Sequence, residues 1–287
     1  MRFEQTLSLI ILISYILYDL RSRSLFGLFD TRLLSQKIRL LTLSTCVLKF
    51  FSIFVITVTM ACLVLLLFTD YMSDFYFLDL TTLPIFFSLF IISSLDLSLA
   101  RGKEDVSYEL LLKLSQSFVY SLIFLIIVII YNITSLKDLI SIQNSTFVFF
   151  PKWNVFLLAP LAYIFIDNSL LLLFNKKDGT AGELFFQQIY DFFLNLVIIV
   201  TFLILFMGGF FSFGNIDKLI THPRLLDLTQ FLLAYIKLLI VVLFMKRAKA
   251  IFPILTRSEK LQKTFRNIVF CVLILLVVLI MKVLTWI

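Results

Sequence analysis

Eight runs of apolar residues, separated by short polar connections, are the feature that most constrains the fold of this chain. About 20 apolar residues cross the hydrocarbon core of a bilayer as an α-helix. Lipid offers no hydrogen-bond partners to the backbone, so apolar runs of this length that lack strict alternation are predicted to be helices. The sequence therefore predicts an all-α integral membrane protein with eight transmembrane helices. The runs lie near residues 3–19, 43–69, 83–100, 110–131, 153–174, 185–213, 226–245 and 267–287.

Composition favours a single multi-pass membrane domain over residues 1–287. Hydrophobic residues make up 61% of the chain and charged residues 15%, against about half and about a quarter in soluble domains. No connection between apolar runs is longer than about 25 residues, too short for a separate soluble domain. The three cysteines have no metal-type spacing and there is one histidine, which argues against a metal or haem centre held by this chain alone.

The Lys and Arg residues are distributed unevenly among the connections. The connection between spans 1 and 2 holds five and that between spans 7 and 8 holds seven, whereas residues 70–82 hold none. Positive residues stay on the side from which helices insert. The connections after spans 1, 3, 5 and 7 are therefore predicted on the matrix or cytoplasmic side, with both termini on the opposite, non-matrix side. The net charge of +7 follows from this topology, and nothing in the sequence indicates a nucleic-acid reader.

A burst of six charges at residues 101–113 precedes the fourth apolar run. Ser107 is predicted to cap a helix that begins near Tyr108, and Glu109 and Lys113 lie four residues apart on one helix face. One interpretation is an interfacial salt bridge. The other is a titratable carboxylate that faces a polar cavity. A carboxylate near a membrane loses hydration, so such a residue usually functions in the binding or transfer of ions, protons or ligands.

Further polar residues interrupt spans 5, 6 and 7. Asp167 has no neutralising neighbour in the sequence, so it must face protein, water or a partner. Gln187, Asp191 and Asn195 recur every four residues, as in a hydrogen-bonded seam between helices or in a polar conduit. Lys237 is predicted either to pair with a carboxylate such as Asp167 or Asp191, or to face lipid and extend its ammonium toward the interface.

The start of span 4 resembles a segment of the NADH dehydrogenase subunit 1 family, the quinone-chamber membrane subunit of respiratory complex I. Val106-Ser107-Tyr108-Glu109 is similar to an Ile-Ser-Tyr-Glu in that family, and Arg101 lies eight residues before the Glu. Two basic connections add to the resemblance. Matching residues are Arg23, Gly27 and Arg32 in the first connection and Arg247, Pro253, Arg257, Glu259 and Leu261 in the last.

Two departures from the family pattern are visible. Ser22 stands where the family has an acidic residue before its first Arg. The acidic loop after span 5 is reduced to residues 175–184, in which Asp178 and Glu183 are the remaining acids.

The resemblance implies a core membrane subunit of NADH:ubiquinone oxidoreductase (complex I), a proton-translocating enzyme whose active site is not complete in this chain. It implies that ubiquinone is the substrate and that NADH, FMN and the iron–sulfur clusters belong to partner subunits. The partners implied are the other complex I subunits, on the matrix side and laterally in the membrane arm, together with membrane lipid. The implied location is the mitochondrial inner membrane, with the gene in the organelle. A bacterial plasma membrane is the alternative.

The resemblance and the burial argument together give the candidate site residues. Those expected in the matrix loops near the quinone chamber are Arg23, Arg32, Asp178, Glu183, Arg247 and Arg257. Those expected on a charged path for protons are Arg101, Tyr108, Glu109, Lys113, Asp167, Asp191 and Lys237.

A secondary transporter and a non-catalytic membrane scaffold are the competing functions. A transporter also uses intramembrane acids and lysines, but transporters usually have repeated halves and helices broken by Gly or Pro. This chain has seven Gly and no convincing repeat. A scaffold would need none of Asp167, Asp191 and Lys237.

Overall fold

The described part of the chain is helical. The computed structural model describes residues 79–85, 87–88, 91, 106–143, 155–173, 194–195, 197–209, 222–251 and 255–286. Within these ranges there is no β-strand. The first two predicted spans, 3–19 and 43–69, lie outside the described residues, and the third, 83–100, is described only as far as residue 91.

Six helices position the residues discussed below, and short helical pieces also occur within residues 83–91 and at 194–195. The six are α1 Val106–Tyr131, α2 Leu136–Gln143, α3 Val155–Leu173, α4 Val197–Met207, α5 Pro223–Ile251 and α6 Arg257–Trp286.

Two of these helices are long and apolar enough to cross a membrane. They are Ser107–Tyr131 within α1 and Arg257–Thr285 within α6. Shorter apolar helical stretches are Leu158–Leu172, Val197–Met207 and Tyr235–Met245. The helical class is thus confirmed for the described residues, with two candidate membrane spans. The count of eight spans and the orientation of the termini stay predictions.

Two helix boundaries differ from the sequence prediction. Helix α1 begins at Val106, so the prediction that Ser107 caps it is wrong, and Ser107 lies in the first turn. Helix α6 begins at Arg257, ten residues before the predicted start of span 8. The Thr256 backbone N–H and hydroxyl both donate to Glu259 Oε2 at 2.7 Å. This capping box starts the helix within residues that apolar counting assigns to a loop.

Aromatic rings fill the centre of the bundle around Phe165 of α3, which is completely buried. Its ring centroid lies 4.9 Å from that of Tyr120 in α1 and 5.7 Å from that of Phe206 in α4. Phe87 and Phe202 lie 6.2 Å away on two further sides. Centroid distances of 4.5–7 Å are typical of favourable aromatic pairs. The rings therefore join the segment around residue 87 to α1, α3 and α4.

One end of the bundle is formed by turns and helix ends. Helix α1 terminates at Asn132, whose φ of 55° is the left-handed conformation common after a helix C-terminus. The Leu80 N–H donates to the Thr134 carbonyl at 2.7 Å, and Gln143 Nε2 donates to the Leu205 carbonyl at 2.5 Å. Residues 79–83, 132–143 and 205–209 thus lie together at this end.

The other end brings together the starts of α1 and α6 and the last turns of α3. Tyr108 in the first turn of α1 contacts Arg257, the first residue of α6. Asp167, six residues before the end of α3, contacts Lys263 of α6. Helices α1 and α6 therefore run in the same direction, and α3 runs antiparallel to both.

Candidate functional site

Polar and charged side chains from α1, α3 and α6 meet at the end of the bundle where α1 and α6 begin. We call this group the three-helix polar cluster. Its members are Tyr108 and Glu109 of α1, Asp167 and Asn168 of α3, and Arg257, Lys260, Lys263 and Asn267 of α6.

Asp167 is the buried centre of the three-helix polar cluster. Only 2% of the residue is exposed. Its Oδ1 lies 2.5 Å from Lys263 Nζ, and its Oδ2 accepts a hydrogen bond of 2.9 Å from Asn267 Nδ2. The same amide nitrogen lies 3.4 Å from Asn168 Oδ1. Asp167 therefore faces protein, one of the three environments that its sequence context allowed, and both its oxygens have partners on α6.

The first turn of α1 forms a second contact with α6. The Tyr108 hydroxyl donates a hydrogen bond to the Arg257 carbonyl. Glu109, which is half-buried, lies near enough to Lys260 to attract its ammonium electrostatically. The resemblance assigned Tyr108 and Glu109 to a charged path and Arg257 to a chamber loop, and the fold places all three at one end of the same helix pair.

The spacing along α6 explains why one helix reaches both acids. Lys260, Lys263 and Asn267 follow each other at intervals of three and four residues, which places them along one side of a helix. Lys263 and Asn267 are one turn apart, so both reach Asp167 from the same direction. The capping box at Thr256 fixes where the helix begins and thus the register of these three side chains.

Buried amides and hydroxyls continue the polar region into the bundle. Gln116 and Asn168 have no exposed surface. Both amide atoms of Gln116 and the Nδ2 of Asn168 have no hydrogen-bond partner among the described residues. Deeper in the bundle, the Tyr120 hydroxyl lies 2.8 Å from Ser169 Oγ. Buried polar groups of this kind are usually satisfied by ordered water or a ligand.

No protein-family model matches this chain, and no curated protein matches it in sequence. Six of the predicted site residues lie outside the described residues. They are Arg23, Arg32, Arg101, Asp178, Glu183 and Asp191. The predicted polar stripe of span 6 is described only at Asn195, which is helical and half-buried.

Lys113 and Arg247 have contrasting positions. Lys113 is buried, with 5% of the residue exposed, although it lies only one turn beyond Glu109. Arg247 is exposed near the C-terminal end of α5. The residues between Arg247 and Arg257, predicted to be a loop, are helical as far as Ile251.

Lys237 of α5 is buried, with 2% of the residue exposed, so the lipid-facing alternative is wrong. Its Nζ donates to the Met207 carbonyl at 2.9 Å and lies 3.4 Å from the Gly209 carbonyl. These carbonyls belong to the C-terminal end of α4, where the helix dipole favours a cation. Gly208 and Gly209 have φ values of 71° and 76°, which suits glycine and turns the chain there. Lys237 therefore lies at the bundle end opposite the three-helix polar cluster.

Sequence reasoning missed Lys260, Lys263 and Asn267 as site residues. The two lysines belonged to a basic connection whose charge indicated an acidic or anionic partner on that side, and Asn267 was the first residue of the predicted last span. A signal was present in the sequence, because Thr256 and Glu259 have capping-box spacing. A helix started there would have placed Lys263 and Asn267 on one face.

Proposed function

We propose that this chain is a divergent member of the NADH dehydrogenase subunit 1 family and a core membrane subunit of NADH:ubiquinone oxidoreductase. In this role it forms part of the quinone-binding chamber and of a charged path that couples quinone reduction to proton translocation. The chain spans the mitochondrial inner membrane, or a bacterial plasma membrane, eight times. NADH oxidation and electron transfer through FMN and iron–sulfur clusters occur in partner subunits.

The observation that carries the proposal is the three-helix polar cluster. It contains the Tyr-Glu pair that resembles the family segment, and it joins that pair to Arg257, which resembles the family's last loop. It also contains a buried acid, Asp167, which the sequence marked as functional. Intramembrane acids and lysines are costly, so their convergence favours a function in ion or proton transfer.

Helix directions in the described residues fit the proposed eight-span topology. Span 4 starts, span 5 ends and span 8 starts at the end of the bundle that holds the three-helix polar cluster. The segment after span 4, at residues 132–143, lies at the other end, together with residues 208–209, where α4 ends inside predicted span 6. This alternation agrees with the side assigned to each of these connections by the distribution of Lys and Arg.

The chemistry of the cluster suits a charged path. Carboxylates in low-dielectric surroundings change their protonation readily when a nearby charge changes. Reduction of a quinone changes the local charge at the chamber, and Glu109 and Asp167 are the described acids that lie within the cluster. Lys263 forms an ion pair with Asp167, and the buried amides of Gln116 and Asn168 provide further hydrogen-bonding groups.

This arrangement of charged residues does not support the scaffold alternative. A buried ion pair is often no more stable than a well-packed apolar pair of similar volume. Stability alone therefore does not explain why α3 and α6 carry the Asp167–Lys263 pair.

Native mass after mild detergent extraction tests the proposal most directly. We expect the 33.4 kDa chain to migrate in a much larger complex that also contains flavin and iron–sulfur subunits and reduces a quinone analogue with NADH. A lone chain or a small homo-oligomer, without flavin or iron–sulfur subunits, would contradict the proposal and favour a transporter or a scaffold.

Glu109→Gln is expected to impair quinone reduction and the proton pumping coupled to it, while leaving assembly of the complex largely intact. The amide keeps the size of the side chain but removes its charge. A loss of about 10²-fold or more is the usual effect when a group that transfers protons is removed. The measurement is the NADH:quinone reductase and pumping rate per assembled complex, normalised to NADH:ferricyanide reduction.

Asp138→Asn is the matched control for Glu109→Gln. Asp138 is exposed in the first turn of α2, at the opposite end of the bundle, and its neutralisation should leave both rates unchanged. Unchanged rates in assembled Glu109→Gln enzyme would remove Glu109 from the path.

A further inference from the structure

The first three turns of α6 carry four basic residues at intervals of three. They are Arg257, Lys260, Lys263 and Arg266. One of them, Lys263, forms an ion pair with Asp167 of α3. The Arg257 carbonyl, in the same turns, accepts the hydrogen bond from Tyr108. One helix segment therefore contacts both acidic helices through its own side chains and backbone.

The contacts of Asp167 fix the orientation of its carboxylate. A buried carboxylate is stable in its charged form only with a close cation and further hydrogen bonds. Lys263 supplies the cation at Oδ1 and Asn267 supplies an amide donor at Oδ2, so each oxygen has its own partner. Lys263 itself keeps 16% of its side chain exposed, and its ammonium thus lies at the edge of the buried region.

We propose that Lys263 and Asn267 are positioning residues that hold the Asp167 carboxylate in a fixed orientation between α3 and α6. This inference rests on the proposed function and deepens it. It adds Lys263 and Asn267, which sequence reasoning did not select as site residues, to the coupling machinery. The Tyr120 hydroxyl of α1 lies 2.8 Å from the hydroxyl of Ser169, two residues after Asp167 on α3.

The test uses four variants in the assembled complex: K263M, D167N, the double variant K263M/D167N, and K263R as the conservative replacement. R266M is the matched control, because Arg266 is an exposed basic residue on the same helix. The readouts are the amount of complex that contains flavin and iron–sulfur clusters, NADH:quinone reduction, and protons pumped per two electrons. NADH:ferricyanide reduction by the partner subunits normalises the rates.

K263M is expected to reduce assembly severalfold, because it leaves a buried carboxylate without its cation. K263M/D167N should restore assembly, because it removes both charges, but quinone-coupled pumping should stay at least about tenfold below wild type. K263R should retain assembly and pumping, and R266M should change neither. Restored assembly together with impaired pumping in K263M/D167N distinguishes a positioning role from a purely structural one.

Recovery of both assembly and pumping in K263M/D167N would overturn the inference and leave the proposed function intact. If the double variant does not assemble, the pumping rate of assembled D167N tests the inference instead. Wild-type pumping by assembled D167N would also overturn the inference. A wild-type chain without flavin and iron–sulfur subunits would overturn the proposed function and the inference together. That outcome is visible in the wild-type sample before any variant is measured.

Discussion

Phe165→Ala is expected to lower the free energy of unfolding by about 3–5 kcal/mol, the usual cost of truncating a buried aromatic residue. The Phe165 ring is surrounded by Phe87, Tyr120, Phe202 and Phe206. These four rings come from three separate segments of the chain, so they cannot all move to fill the space that the truncation leaves. In a membrane protein the loss is mainly one of van der Waals contact, since lipid is as apolar as the bundle interior.

The measurement is denaturation of the detergent-solubilised protein, followed by helical circular dichroism. Phe270→Ala is the control, because Phe270 lies on the outer side of α6 with 53% of its surface exposed. Its truncation should change the free energy of unfolding by no more than about 0.5 kcal/mol. Equal losses for the two variants would contradict the assignment of Phe165 to the centre of the core.

The helices themselves were largely predictable from the sequence. Apolar runs at 110–131, 153–174 and 226–245 correspond to α1, α3 and α5, because a run of this length has few alternatives to a helix. The boundaries were less predictable where helices extend beyond the apolar run. Helix α6 has polar first turns that an apolar count excludes, and α5 continues through basic residues as far as Ile251.

The candidate site was predictable in part. Asp167 was predicted as a site residue because an acid within an apolar run needs a charged or hydrogen-bonding partner. Its partners did not stand out, since Lys263 and Asn267 lie about a hundred positions away in the sequence. Only the antiparallel packing of α3 against α6 brings them together, and neither composition nor periodicity determines which helices are neighbours.

Lys237 is a second residue whose partners could not be predicted from the sequence. A lone lysine in an apolar run predicted a carboxylate partner or exposure to lipid. This prediction considered only charged side chains as partners, because these can be identified in a sequence. The structure satisfies the ammonium with backbone carbonyls of Met207 and Gly209. Backbone acceptors at a helix end are available in every helix, and the sequence does not mark which one a distant lysine will reach.

Lys237→Met is expected to lower the free energy of unfolding by about 2–4 kcal/mol, because it removes a charged donor from buried carbonyl groups. Methionine has a similar length and is apolar, so the change removes the ammonium with little loss of volume. Lys282→Met is the control, since Lys282 is half-exposed near the C-terminal end of α6. The measurement is the same denaturation experiment as for Phe165→Ala, made on both variants.

The position of Lys237 separates its effect from that of Glu109. Helix α1 has 26 residues and is therefore about 39 Å long, with Glu109 at its start and the turn that faces α4 just beyond its end. Lys237→Met should therefore reduce the amount of folded protein, while the quinone-linked rate per assembled complex stays near wild type. A rate loss comparable to that of Glu109→Gln, at unchanged assembly, would place Lys237 on the charged path, and the carbonyl contacts would then be secondary to that role.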